Sequence, residues 1–170
     1  MEAPDLVAAS EAALAEGVSV ALVEQPYRVA GRRSPAPAAQ LDAAWAGVVS
    51  RLGKQEFGGL PLLVGGRSLG ARVACRTAGR TDAVAVMCLA FPLQPPRRAG
   101  AAPASSRLPE LDAVALPTLV VQGTRDRFGI PPASTKRTVV EVPGDHSLKA
   151  DLPAVSAAVE SWLADLLARL

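Results

Sequence analysis

The segment with the clearest capacity for chemistry is the pentapeptide Gly66–Gly70, which reads Gly-Arg-Ser-Leu-Gly. It lies between an apolar run, Leu60–Val64, and a helix-like run that begins at Leu69. A serine on a sharp strand-to-helix turn exposes its hydroxyl above a sheet, and small residues two positions before and after it let the backbone turn that tightly. Ser68 is therefore a candidate nucleophile, although a tight strand-helix turn in any α/β protein would carry the same pattern.

Two further residues stand where a serine nucleophile needs its partners, in the chain order Ser, Asp, His. Asp126 follows an apolar run that ends near Gln122. His146, the one histidine of the chain, follows another run that ends near Val142. In this arrangement His146 would be the general base, and Asp126 would hold the imidazole in the productive tautomer. The backbone N–H of Leu69 would donate a hydrogen bond to the oxyanion.

Each of these side chains also has an ordinary structural explanation. His146 would suit an exposed loop, and Asp126 a turn or helix cap, but placement of all three residues in the required order favours chemistry. Asp145 and Asp112 are weaker carboxylate candidates, because one adjoins the histidine in sequence and the other precedes a strand. The chain has neither a G-x-G-x-x-G loop nor a G-K-[ST] loop, so the sequence implies no cofactor.

The elements that must position these residues alternate along the chain. The strands are predicted at Val18–Val23, Leu60–Val64, Ala83–Ala90, Pro117–Gln122 and Thr138–Val142. The helices are predicted at Asp5–Glu16, Ala38–Leu52, Leu69–Ala78 and from Asp151 onwards. Most strand runs lack polar alternation, which is typical of a sheet covered by helices on both faces. We therefore predict a three-layer, doubly wound, mostly parallel α/β fold, with residues 1–170 forming a single domain.

Composition excludes several classes of function. The formal net charge is +2, and the basic pairs Arg32–Arg33 and Arg97–Arg98 lie beside proline and glycine, so we expect solvated loop charges and no nucleic-acid binding. The apolar stretch Ala83–Leu93 is too short to span a bilayer, and no signal-like segment opens the chain, so no membrane partner is expected. Cys75 and Cys88 fall in apolar runs, which predicts buried free thiols and a cytoplasmic protein.

Taken together, several motifs resemble the α/β-hydrolase superfamily, and within it the dienelactone-hydrolase-like branch that includes the testis-expressed and NSL-complex-subunit-like hydrolase domain. The similarity covers nearly the whole chain. It rests on the segments Gln25–Tyr27, Gly65–Arg72, Phe91–Pro96, Val121–Asp126 and Pro143–Lys149. The resemblance implies that Ser68, Asp126 and His146 match the family's triad. Gln94 stands where similar sequences have a histidine.

The chain departs from that family at its N-terminus. Such domains usually begin with one or more strands and a His-Gly-Gly/Ala-type loop that supplies the second oxyanion N–H, whereas Met1–Pro4 resembles the segment that follows this loop. In the family's strand order the missing strand would lie between Val18–Val23 and Leu60–Val64. We expect the natural product to start upstream; re-pairing of the strands or filling of the gap by another chain are the alternatives. Loss of one oxyanion donor typically costs about 3 kcal/mol.

These observations predict a serine hydrolase that acts on an ester, thioester or lactone of a small substrate through an acyl-enzyme. The alternatives are a weak or inactive hydrolase fold that serves as an interaction module, and a receptor that only binds a small molecule. Arg67, Arg97 and Arg98 could meet an acidic substrate, but solvated loops are the favoured interpretation. An open sheet edge would favour a homodimer.

Overall fold

The computed structural model describes residues 3–95 and 105–170. The helices of these residues are α1 (Pro4–Ala15), α2 (Pro26–Val29), α3 (Ala38–Gln55), α4 (Leu69–Thr77), α5 (Leu108–Asp112) and α6 (Leu152–Leu167). The strands are β1 (Leu62–Arg67), β2 (Ala83–Leu89), β3 (Thr118–Gly123) and β4 (Arg137–Val142). A short 3₁₀ turn over Ala78–Arg80 follows α4. The predicted alternation of strands and helices is thus confirmed, apart from the first predicted strand.

The four strands form one parallel sheet in the order β1-β2-β3-β4. Because every pair is parallel, the carboxyl ends of the strands meet at one edge of the sheet, where the loops that follow them come together. The register pairs Gly66 with Cys88 and Gly123 with Val142, so the ends of β1 and β4 lie level with those of their neighbours. This edge is where the predicted functional loops lie.

Helices cover both faces of the sheet. On one face, Ala9 and Ala12 of α1 and Val155 and Val159 of α6 are buried in one hydrophobic cluster with Leu119 of β3. On the other face the strand residues that point the opposite way meet α3, α4 and α5 in a second cluster. That cluster includes Val49, Ala71, Ala74, Leu111, Val86 and Val120. The alternation along β2 and β3 follows the period of two of a strand, and the result is the predicted three-layer fold.

The prediction of a strand at Val18–Val23 is wrong. These residues have no strand assignment, and the side chains of Val20 and Leu22 are 37% and 42% exposed. A β-rich run becomes a strand only when a neighbouring backbone completes its hydrogen bonds, and within the described residues no strand pairs with this segment or with the outer edge of β1. The segment is therefore an extended connection between α1 and α2.

The last helix, α6, is capped at its N-terminus and packs an apolar face against the sheet. Oδ1 of Asp151 accepts a hydrogen bond from the backbone N–H of Ala154 at 2.9 Å, as an N-cap does, and Pro153 lies in the first turn. Val155, Val159 and Leu163 are buried against the sheet. The helix predicted from Asp151 onwards is thus confirmed, with Asp151 as its N-cap.

Both cysteines are buried free thiols, as predicted. Their Sγ atoms lie 3.5 Å apart, with Cys75 on α4 and Cys88 on β2. The hydrogen bond with Cys75, together with burial, raises the pKa of the Cys88 thiol well above its ordinary value. Separately, no helix of the described residues is both long and apolar enough to cross a membrane.

Candidate active site

The turn that carries Ser68 joins β1 directly to α4. Ser68 has φ 53° and ψ −108°, a backbone conformation that non-glycine residues rarely adopt and that marks functional turns. Its N–H donates to the carbonyl of Leu89 at 2.9 Å, which holds the turn against β2. A Cβ on Gly66 would lie 2.6 Å from the carbonyl carbon of Gly70, so the predicted need for glycine at position 66 is confirmed. A Cβ on Gly70 would have nothing within 4 Å, so the structure shows no steric need for glycine at position 70, contrary to the prediction.

The structure brings Ser68, His146 and Asp126 together in one hydrogen-bonded chain. Oγ of Ser68 lies 2.9 Å from Nε2 of His146, and Nδ1 of the same ring lies 2.7 Å from Oδ2 of Asp126. A carboxylate can only accept, so Nδ1–H is the donor to Asp126, and in the neutral ring Nε2 then accepts the Ser68 hydroxyl proton. Such a chain can take a proton from the serine as its oxygen attacks an electrophile.

Burial differs along this chain of three side chains. The side chain of Asp126 is fully buried, whereas that of His146 is 21% exposed. The Phe128 ring meets the imidazole edge-on, with the ring centroids 4.4 Å apart and the planes at 68°. This contact covers part of the imidazole ring, and the half-buried Phe128 ring must move before the imidazole can turn. The imidazole is therefore held on one side by Phe128 and remains partly open to solvent.

Gln122 is a site residue that the sequence did not reveal. It is fully buried on β3, and its Nε2 donates to Oδ2 of Asp126 at 2.7 Å. The same amide lies 3.1 Å from the carbonyl of Phe91 and 3.0 Å from that of Gly129. The N–H of Phe128 donates to Oδ1 of Asp126 at 2.9 Å, so both carboxylate oxygens are held. The available signal was a single amide side chain directly after the apolar residues Leu119–Val121.

The two weaker carboxylate candidates lie in other contacts. Oδ1 of Asp145 accepts from the backbone N–H and the hydroxyl of Ser147, at 2.8 and 2.6 Å, and these hydrogen bonds lower the pKa of the carboxyl. Asp112 accepts from the guanidinium of Arg137 at 3.1 Å. Neither contacts the imidazole, so Asp126 is the carboxylate that the structure places beside His146.

Arg67, the residue before the serine, was considered as a contact for an acidic substrate. Its Nε donates to Oδ2 of Asp5 at 2.6 Å, and its Nη2 donates to the main-chain carbonyl of His146 at 2.9 Å. The side chain of Asp5 is fully buried, so the charge of Arg67 is compensated within the protein. Arg97 and Arg98 lie outside the described residues. Arg32 and Arg33 are exposed, in agreement with solvated loop charges.

The loop before α3 encloses an open cavity of about 510 Å³, lined by Tyr27, Gln40 and residues 32–37. Ser68, Asp126 and His146 do not line it.

Leu69 is the first residue of α4, where a helix N–H has no intrahelical acceptor and is free to bind an incoming group. Among residues 3–95 and 105–170, no three His, Cys, Asp or Glu side chains converge as metal ligands would.

A family model described as an alpha/beta hydrolase domain matches residues 1–153. Comparison with curated proteins gives no significant match. Three solved structures illustrate the likeness of the fold. An α/β serine hydrolase without a lid from Xanthomonas campestris superposes with a TM-score of 0.69 at 17% identity, covering 98% of this chain and 75% of that one.

The second is an α/β serine hydrolase homologue from Coxiella burnetii, with a TM-score of 0.68 at 15% identity, covering 95% of this chain and 76% of that one. The third is the esterase domain of a Rhodothermus marinus protein, with a TM-score of 0.64 at 19% identity, covering 98% and 80%. At these identities the likeness shows the fold, the α/β-hydrolase fold with a parallel sheet flanked by helices.

Proposed function

Because this chain belongs to the alpha/beta hydrolase domain family, we propose that it is a serine hydrolase that cleaves an ester, thioester or lactone of a small substrate. The observation that carries the proposal is the hydrogen-bonded chain from Ser68 through His146 to Asp126 at the carboxyl edge of the sheet. Ser68 and Asp126 are 58 positions apart along the chain, and Asp126 and His146 are 20 positions apart. They meet here on loops that follow three different strands. The fold alone would not require this meeting.

The proposed reaction begins when Oγ of Ser68 attacks the acyl carbon and its proton passes to Nε2 of His146. The N–H of Leu69 donates to the oxygen that becomes negative in the tetrahedral intermediate. As the intermediate collapses, the bond to the leaving oxygen or sulfur breaks and His146 returns the proton to it. Water then attacks the acyl-enzyme, with His146 again taking a proton, and the acid is released as Ser68 regains its hydrogen.

The finer parts of the proposal rest on the motifs of the sequence. Placement in the dienelactone-hydrolase-like branch is supported by the segments around Gln25–Tyr27 and Phe91–Pro96 together with the turn at Gly66–Gly70. The two free cysteines support a cytoplasmic location. The substrate is proposed to be neutral, since the guanidinium of Arg67, the residue before the serine, is already paired with Asp5. The outer edge of β1 supports pairing with a second copy of the chain.

Hydrolysis of small activated esters tests this function directly. We expect the wild-type chain to release nitrophenol from p-nitrophenyl acetate and butyrate with an initial burst, because the acyl-enzyme forms before water hydrolyses it. Ser68→Ala should lower the turnover rate by about 10⁴- to 10⁶-fold, since it removes the attacking atom. Stopped-flow absorbance measures both the burst and the steady rate.

The matched control is Ser147→Ala, because Ser147 adjoins His146 in sequence but its hydroxyl donates to Asp145. This variant should retain the wild-type burst and turnover. Equal turnover by wild type and Ser68→Ala would show that the serine is not the nucleophile. In that case an interaction module that keeps the hydrolase fold would become the better explanation.

A further inference from the structure

The guanidinium of Arg67 ties three parts of the molecule together beside the serine. Through Nε it contacts the carboxylate of Asp5 in the first turn of α1, and through Nη2 it contacts the main-chain oxygen of His146. Arg67 is the last residue of β1, and its backbone is in register with Leu89 of β2. One side chain thus links the sheet, an N-terminal helix and the loop that carries the only histidine.

The planar guanidinium of Arg67 gives its contacts with Asp5 and His146 a fixed geometry. A guanidinium is planar and holds its donors in a rigid fork, so two acceptors bound to it have a fixed relation to each other. Asp5 is fully buried and keeps the fork in place, since moving Arg67 away would leave a carboxylate unpaired in the core. The other oxygen of that carboxylate, Oδ1, has no hydrogen-bond partner among the described residues. The pairing to Arg67 is therefore what compensates this charge.

The carbonyl that Arg67 holds belongs to His146 itself. The loop between β4 and α6 has no strand or helix of its own before Leu152, and Gly144 adopts φ 126° within it. Around the histidine, the loop makes a backbone hydrogen bond from Leu148 to Asp145 at 3.1 Å. The imidazole contacts Ser68 and Asp126, while the main chain of the same residue contacts Arg67. The histidine is thus fixed at both its ring and its backbone.

We propose that Arg67, anchored by Asp5, is a positioning residue that fixes the main chain of His146 and thereby the distance and angle between the imidazole and Ser68. The inference deepens the proposed function and rests on it for its kinetic consequence. A displacement of about 1 Å at reacting groups lowers a rate by about 100-fold, so small movements of the loop matter. The rival explanation is that the ion pair only fastens α1 to the sheet.

The experiment uses the fact that His146 is the one histidine of the chain. Protein labelled with ¹⁵N-histidine gives ring nitrogen signals from this residue alone, and they report its tautomer and its hydrogen bond to Asp126. The variants are Arg67→Met, which removes both donors, and Arg67→Lys, which keeps the charge and offers one nitrogen where arginine uses two. The second readout is the rate constant and the final extent of fluorophosphonate labelling.

Arg76→Met is the matched control. Arg76 is on α4, its guanidinium is paired with Asp42 at 2.6 and 2.9 Å, and it is buried to a similar degree as Arg67, with 17% and 26% of the side chains exposed. It does not contact His146. Loss of this pair should therefore cost stability without changing the ring signals or the labelling rate.

We expect Arg67→Met to label to the same final extent as wild type but about 10- to 100-fold more slowly, with altered ring signals. Arg67→Lys should lie between the two. A merely structural role would lower the melting temperature and the extent of labelling and leave the rate constant and the ring signals of the folded fraction unchanged. Ring signals and a rate constant within twofold of wild type, or an equal loss in Arg76→Met, would overturn the proposal.

Two further outcomes have defined meanings. If Arg67→Met does not fold, Arg67→Lys decides by the same criteria. If wild type is not labelled at all, the proposed function fails, and the ring signals alone then test the positioning role. Signals altered by Arg67→Met and not by Arg76→Met would support it, whereas unaltered signals would overturn it.

Discussion

Replacing His146 by alanine is expected to lower ester hydrolysis by about 10⁴- to 10⁶-fold, because Ser68 then has no base within reach. Asp126→Asn should cost about 10⁴-fold in kcat with little change in KM. The amide keeps the size of the carboxylate, but it can present a donor to Nδ1 and so favour the wrong tautomer of the ring. Steady-state kinetics on p-nitrophenyl esters measures both effects.

Two other carboxylates of the chain provide matched controls. Asp112→Asn and Asp145→Asn make the same chemical change at residues that pair with Arg137 and Ser147 rather than with the imidazole. Both should retain kcat within about threefold of wild type, as surface substitutions away from the chemistry do. A loss in Asp145→Asn equal to that in Asp126→Asn would show that the assignment of the carboxylate is wrong.

Replacing Gly123 by alanine is expected to disrupt the site without touching any of the three reacting side chains. A Cβ at this position would collide with the main-chain oxygen of Asp145 and lie 2.8 Å from that of Gly144. These atoms belong to the loop just before His146, and backbone cannot give way as a flexible side chain can. We expect a loss of about 1–3 kcal/mol in the free energy of unfolding, from such overpacking. Labelling by fluorophosphonate should slow by about 100-fold as the imidazole moves.

Gly79→Ala is the control for the loss of a glycine. Gly79 is an exposed residue of the 3₁₀ turn, and nothing lies within 4 Å of a Cβ placed there. Its free energy of unfolding should change by about 0.5 kcal/mol or less. Denaturant unfolding and labelling, measured on both variants, separate the steric clash at position 123 from the effect of replacing any glycine by alanine. Wild-type labelling by Gly123→Ala would contradict the account of how this loop is held.

Much of the site could be predicted because its signals are local. Short patterns show the glycines at positions 66 and 70, the serine between them, and the order of Asp126 and His146 after two strands. A parallel sheet then brings the ends of those strands to one edge, whatever the details of packing. The topology brings the three loops together, but the distances of 2.9 and 2.7 Å along Ser68, His146 and Asp126 depend on side-chain packing that the sequence does not predict.

The contacts that the sequence did not reveal depend on how the chain packs. Arg67 meets Asp5 across 62 positions and His146 across 79, and no spacing rule connects such residues. Gln122 lies within the segment Val121–Asp126 that carries the resemblance, but only the packed structure shows its amide beside Asp126. Val18–Val23 failed as a strand for the opposite reason, because a local β preference cannot supply the neighbouring backbone that a strand requires.

The most direct test of an activated serine is intact-mass detection of fluorophosphonate labelling on the wild-type chain, followed by peptide mapping, with Ser68→Ala alongside. The probe needs a nucleophilic serine and no knowledge of the substrate. The account predicts one adduct per chain, located on Ser68 and absent from Ser68→Ala. An adduct on another residue, or equal labelling of the two proteins, would contradict it, as would no labelling of a folded wild-type chain.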